Sequence, residues 1–93
     1  MNIQAFHDEL QANGFDEAVP VDRPIGYAMG EHQHPFDACA FITAGDITLV
    51  VDGESRHYRV GDVFRLPAGT PHLEAAGPQG VSYWSGRRPV AAA

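Results

Sequence analysis

The sequence predicts an all-β sandwich or barrel preceded by one short α-helix, on three observations. From residue 19 onward the chain breaks into short extended runs punctuated by Gly and Pro: VPVDRPIGYAMGE, ACAFITAGD, ITLVVDGESRHYRV, DVFRLPAGTPH and GVSYWSGRR. No helical period survives in that stretch, and turn residues recur at the regular short spacing of a sandwich or barrel. In ITLVVDGESRHYRV, Asp52-Gly53 separates an apolar run from one of alternating apolar and polar residues, the pattern of a tight hairpin.

The N-terminal helix follows from spacing. Asn2 is a good N-cap, Ile3, Phe6 and Leu10 recur at helical steps, and Gly14 offers a stop. So short a helix is marginal alone, so its apolar stripe must lie on an outer sheet face or a second subunit. His7 sits beside that stripe and is expected at the surface. Gly45-Asp46 and Gly61-Asp62 are further expected breaks between strands. The organisation expected is one domain: helix and linker over 1–15, barrel over 19–88, and a frayed tail over 89–93.

Composition excludes several classes. Ninety-three residues hold one core, and no apolar run approaches the roughly 20 residues that span a bilayer. The formal net charge is -6, with 12 acidic residues against 6 basic ones. Such a surface repels phosphate backbones, so no nucleic-acid partner is expected. The start MNIQAFHDELQANG has no basic stretch followed by a continuous apolar run, so no secretory signal is expected, and one cysteine, Cys39, cannot close an internal disulfide. A cytoplasmic location is expected, with stability drawn from packing, a metal or a partner subunit.

The chemistry concentrates in two segments. In an extended strand His32 and His34 of GEHQHPFDACAFITAG share a face, about 7 Å apart at Cα. A third histidine, His72, ends DVFRLPAGTPH, where Pro67 and Pro71 bracket Gly69 and stiffen the turn before the imidazole. Three histidines on one ion leave coordination positions open, the arrangement of a catalytic or ligand-binding metal.

These residues resemble the cupins, small jelly-roll barrels also described as double-stranded β-helices. The first cupin motif runs Gly, five residues, His-x-His, three or four residues, Glu, six residues, Gly; Gly26, His32, His34 and Gly45 fall on it. The second runs Gly, five residues, Pro-x-Gly, two residues, His, three residues, Asn; Gly61, Pro67, Gly69 and His72 match. The resemblance covers roughly residues 26 to 76 and implies a cupin-type jelly-roll barrel with a divalent metal, Zn, Fe, Ni or Mn, on His32, His34 and His72. It departs at two places: Ala38 stands in the glutamate slot and Ala76 in the asparagine slot.

Three residues are candidates for a fourth ligand. Asp37 and Cys39 flank the vacant slot; alternation from His34 sends both to the opposite face, unless a bulge at Pro35 turns one inward. Glu74 shares a face with His72 if the chain is extended there. Water is the remaining alternative. Cys39 reads more simply as a small buried hydrophobe, and His57 as solvent-exposed, because the parity that turns Tyr58 inward turns it out. The pocket near the histidines is expected to draw on Phe36, Phe64, Tyr83 and Trp84, with Tyr27 at its entrance.

The resemblance implies a site and leaves the reaction open. Cupin chemistry of the dioxygenase or isomerase kind, decarboxylation and plain ligand binding are all compatible with it; no residue is assigned a catalytic role. Without the carboxylate, the ion's surroundings are more positive, which favours a small anionic organic ligand. The alternative is a non-catalytic sensor or binding module, with or without metal. A homodimer is expected in either case.

Overall fold

The computed structural model describes residues 2–90, and the last three alanines of the expected tail lie outside the described residues. The helix α1 spans Ile3–Ala12, with the Asn2 side chain accepting the Ala5 N–H at 2.8 Å. Six strands follow: β1 (Val19–Arg23), β2 (Ala28–His32), β3 (Phe36–Val51), β4 (Glu54–Arg59), β5 (Val63–Leu66) and β6 (His72–Pro89). No helix among the described residues is long and apolar enough to cross a membrane.

Two long strands make the barrel. The first half of β3 pairs with β5 and with the second half of β6, which also pairs with β1. The second half of β3 pairs with β4 and with the first half of β6, which also pairs with β2. Two antiparallel layers therefore share β3 and β6, the jelly-roll arrangement, and the bends of those strands connect the layers.

The bend explains the one expected break that did not end a strand. Gly45-Asp46 is no turn: β3 runs through it, with register shifts against β6 on both sides of Gly45. Gly45 has φ of +69°, and a Cβ there would overlap the Gly80 carbonyl. Glycine thus lets the two strands cross closely at the barrel corner. Asp52 and Gly53, by contrast, both have positive φ and close the predicted β3–β4 hairpin.

Strand parity builds the core between the layers. Ile47, Leu49 and Val51 alternate inward along β3, and Ala40 and Ile42 do so before the bend. Phe64, Leu66, Val81 and Tyr83 complete this cluster. A second cluster lies outside, where Phe6 and Leu10 of α1 cover Cys39, Phe41 and Ala18, with Phe15 and Trp84 at its edge. The helix thus rests on an outer sheet face, and a Cβ at Gly86 would meet the Leu10 side chain, so close seating depends on that glycine. His7 is half-buried rather than free, its ring edge-on to Trp84 at 5.6 Å.

Candidate functional site

The three histidines come together inside the barrel. β2 ends at His32 after a bulge between Met29 and His32, and His32 lies opposite His72, the first residue of β6. His34 follows beyond the strand end, and its carbonyl accepts the Gly69 N–H at 2.8 Å. That bond fastens the two histidine segments together. The turn before His72 is held by Thr70 N–H donating to the Pro67 carbonyl and by Gly69 at φ +78°, a backbone state that favours glycine.

Ring centroids are 4.2 Å apart for His32 and His72, 5.0 Å for His32 and His34, and 5.3 Å for His34 and His72. One ring nitrogen of each lies within 4.8 Å of the others, so small side-chain rotations suffice to reach metal–nitrogen distances of roughly 2 Å. The backbone orients two of the rings. His32 Nδ1 bonds the Gly30 carbonyl at 2.8 Å, and His72 Nδ1 bonds the Thr70 carbonyl at 2.9 Å. A carbonyl only accepts, so each Nδ1 carries the proton and each Nε2 presents a lone pair. Those two Nε2 atoms are buried and have no hydrogen-bond partner.

Glu74 completes the surroundings. Its Oε2 lies 3.6 Å from His72 Nε2 and 3.9 Å from His32 Nε2, beyond hydrogen-bond length, with the carboxylate nine-tenths buried. Tyr27 donates its hydroxyl to the other oxygen, Oε1. Burial, then this bond, raises the Tyr27 pKa, so the phenol keeps its proton to donate. Burial, and next the neighbouring His32 and His72, lower the pKa of His34. Its ring stacks on Phe36 at 5.0 Å.

The other two fourth-ligand candidates lie elsewhere. β3 stays in register from Phe36 to Ile42, so no bulge rotates its side chains at Pro35. Ala38 therefore faces the core, while Asp37 and Cys39 face outward. Asp37 accepts the Ala68 N–H at 2.8 Å and two Arg88 donors at 3.0 and 2.9 Å. Those bonds, the backbone one first, hold its pKa below the ordinary carboxylate value. Cys39 is buried among Phe6, Leu10 and Phe41, and burial raises its thiol pKa.

Tyr27, Phe36, Phe64 and Tyr83 line the hollow beside the histidines, and Trp84 does not. Neighbouring residues on a strand point oppositely, so with Tyr83 inward Trp84 must lie on the outer face under α1. Two charged residues went unnoticed in the sequence: Arg23 and Arg87 also line this pocket. Their signal was parity, since Arg87 stands two and four residues beyond Ser85 and Tyr83 on one strand face. His57 is exposed as expected, though its Nε2 meets Asp46.

The chain belongs to the cupin family: the cupin domain pattern matches residues 21–77, which include all three histidines. Solved structures similar to it include a Cupin 2 conserved barrel domain protein from Salinispora arenicola, with a TM-score of 0.70 at 26% identity, covering 83% of this chain and 65% of that one. KdgF from a Halomonas species gives 0.64 at 27% identity over 78% of this chain and 68% of that one. DMSP lyase DddQ from Ruegeria pomeroyi gives 0.68 at 29% identity over 76% of this chain, which spans only 36% of the lyase. No curated protein matches the chain.

Proposed function

We propose that this cupin binds one divalent metal ion through His32, His34 and His72, with Glu74 as the fourth protein ligand, and opens it toward a small organic ligand in the barrel. The observation that carries this reading is the pair of buried, unpartnered Nε2 lone pairs on His32 and His72. Two such lone pairs beside a buried carboxylate are unfavourable in isolation, because each polar atom has lost water and gained nothing. A cation among them satisfies all three groups together.

The surroundings support the same donor set. The Gly30 and Thr70 carbonyls fix the tautomer that exposes Nε2, as outer partners of metal-bound histidines commonly do. Tyr27 holds Glu74 by one oxygen and leaves the other toward the histidines. The carboxylate thus comes from β6 instead of the β3 position that Ala38 occupies. Nitrogen donors with one oxygen suit Zn, Fe, Ni or Mn. When bound, such an ion supplies Lewis-acid polarisation of an oxygen ligand or activation of water.

This reading includes a homodimer, which light scattering checks. Leu73, 39% exposed, lies with Val50, Ala75 and Ala28 on the outer face of the β2–β6–β3 layer, an apolar surface suited to a second copy. The metal assignment is tested by elemental analysis of untreated protein and by reconstitution after chelation. One ion per chain is expected; no metal and no affinity on reconstitution would overturn it.

A further inference from the structure

Two guanidinium groups line the pocket beside the histidines, and neither Arg23 nor Arg87 forms an ion pair among the described residues. Arg65 and Arg88, by contrast, are engaged with Glu9 and Asp37 on the outside of the barrel. Arg23 and Arg87 are exposed residues at the rim of the hollow, so in a chain of net charge -6 they offer two hydrated positive charges to an incoming anion. We infer that Arg23 and Arg87 make this pocket a receptor for small dicarboxylates, in preference to monocarboxylates and neutral molecules; the inference rests on the same pocket being the ligand site proposed above.

The two guanidiniums rest on different rings of the pocket wall. Arg23 lies over the Tyr27 ring, 4.9 Å from its centroid, on the side where Tyr27 meets Glu74. Arg87 lies over the Phe36 ring at 4.4 Å, and Phe36 in turn stacks on His34. Stacking on an aromatic face pre-orients the planar guanidinium and leaves N–H donors at its edge free for a carboxylate fork. A monoanion satisfies one guanidinium only. An acid with a carboxylate at either end satisfies both.

Charge and size agree. Within the pocket two guanidiniums against the single carboxylate of Glu74 leave one positive charge, and a divalent ion on the histidines would make it three, so a dianion is attracted more strongly than a monoanion or a neutral molecule. The cavity is about 130 Å³, room for a short-chain acid and too little for an oligomeric substrate. Ser85 adds a hydroxyl between Tyr83 and Arg87 on the same strand face.

Calorimetric titration with succinate and glutarate, beside butyrate and succinamide, tests this on metal-loaded and on chelated protein, with metal content measured on the same samples. The dicarboxylates are expected to bind at least tenfold more tightly than butyrate, and succinamide weakest. Arg23→Gln and Arg87→Gln should each lose about tenfold for succinate, the effect of removing one charge-assisted pair. Arg59→Gln, at an exposed arginine outside the pocket, should change nothing. Melting curves of all three variants confirm that they fold.

A dicarboxylate no tighter than butyrate, or succinate affinity indifferent to both pocket substitutions, overturns the inference. Metal present with that preference absent leaves the metal centre standing alone. Metal absent, with the preference and its loss in Arg87→Gln retained, leaves the anion receptor standing and removes the metal.

Discussion

Two hollows lie back to back on the β3–β6 pair. The outer one, about 230 Å³, is walled by α1 and lined by Glu9, Asp37, Cys39, Arg65 and Arg88. The inner one, about 130 Å³, holds the histidines' pocket. Outside, the charged groups are paired: Arg88 donates to Asp37 and to the Asn13 carbonyl at the end of α1, and Arg65 meets Glu9. Inside, the Nε2 atoms of His32 and His72 have no hydrogen-bond partner, and Arg23 and Arg87 form no ion pair, among the described residues. Size therefore does not mark the site; unsatisfied donors and acceptors do. A fold whose polar groups already satisfy each other has nothing left to offer a ligand.

Four substitutions probe that contrast, the most severe first. His72→Ala removes a side chain 1% exposed and should abolish stoichiometric metal binding in elemental analysis, while His57→Ala keeps it. If His72→Ala leaves metal content unchanged, the inner donor set is wrong. On the outer side, Leu10→Ala deletes a side chain 3% exposed that packs against Gly86. It should cost about 2–5 kcal/mol in denaturant unfolding and leave metal affinity untouched, the reverse of the histidine variant.

Glu74→Gln retains the shape and the Tyr27 bond but removes the charge. A competition titration with a chelating dye should show metal affinity falling roughly 10–100-fold, against complete loss for His72→Ala; an unchanged affinity would reduce the site to its histidines. The smallest effect belongs to Asp37→Asn. Because Asp37 has a folded pKa below its ordinary value, its contribution is present above about pH 4 and lost as pH falls through the folded pKa. The substitution should flatten the acid limb of melting temperature against pH below about pH 4, with no change in metal content.

Local rules made much of this legible. The helix stripe, its Asn2 cap and the Asp52-Gly53 hairpin each depend on residues within a few positions of one another. The three histidines were found because a turn and a strand end impose fixed spacing on short segments. Parity also predicted that Asp37 and Cys39 face outward, and the unbroken register of β3 leaves that parity intact. Trp84 was misplaced because an aromatic-rich run SYWS does not reveal which alternate residue faces inward until a covering helix is known.

Other features required the third dimension. That Gly45 bends a strand rather than ending it depends on Gly80, thirty-five residues away, crossing it closely. Glu74 links Tyr27 to the histidines only because β2 and β6 pair with His32 opposite His72. Arg23 and Arg87 share a pocket only because β1 and β3 flank the same half of β6. Residue order alone determined which side chains repeat on a helix or alternate on a strand, since those periods are set by the backbone. Which of them meet across the barrel, and which are left without a partner, was decided by strand pairing, because only the closed fold specifies what each side chain faces.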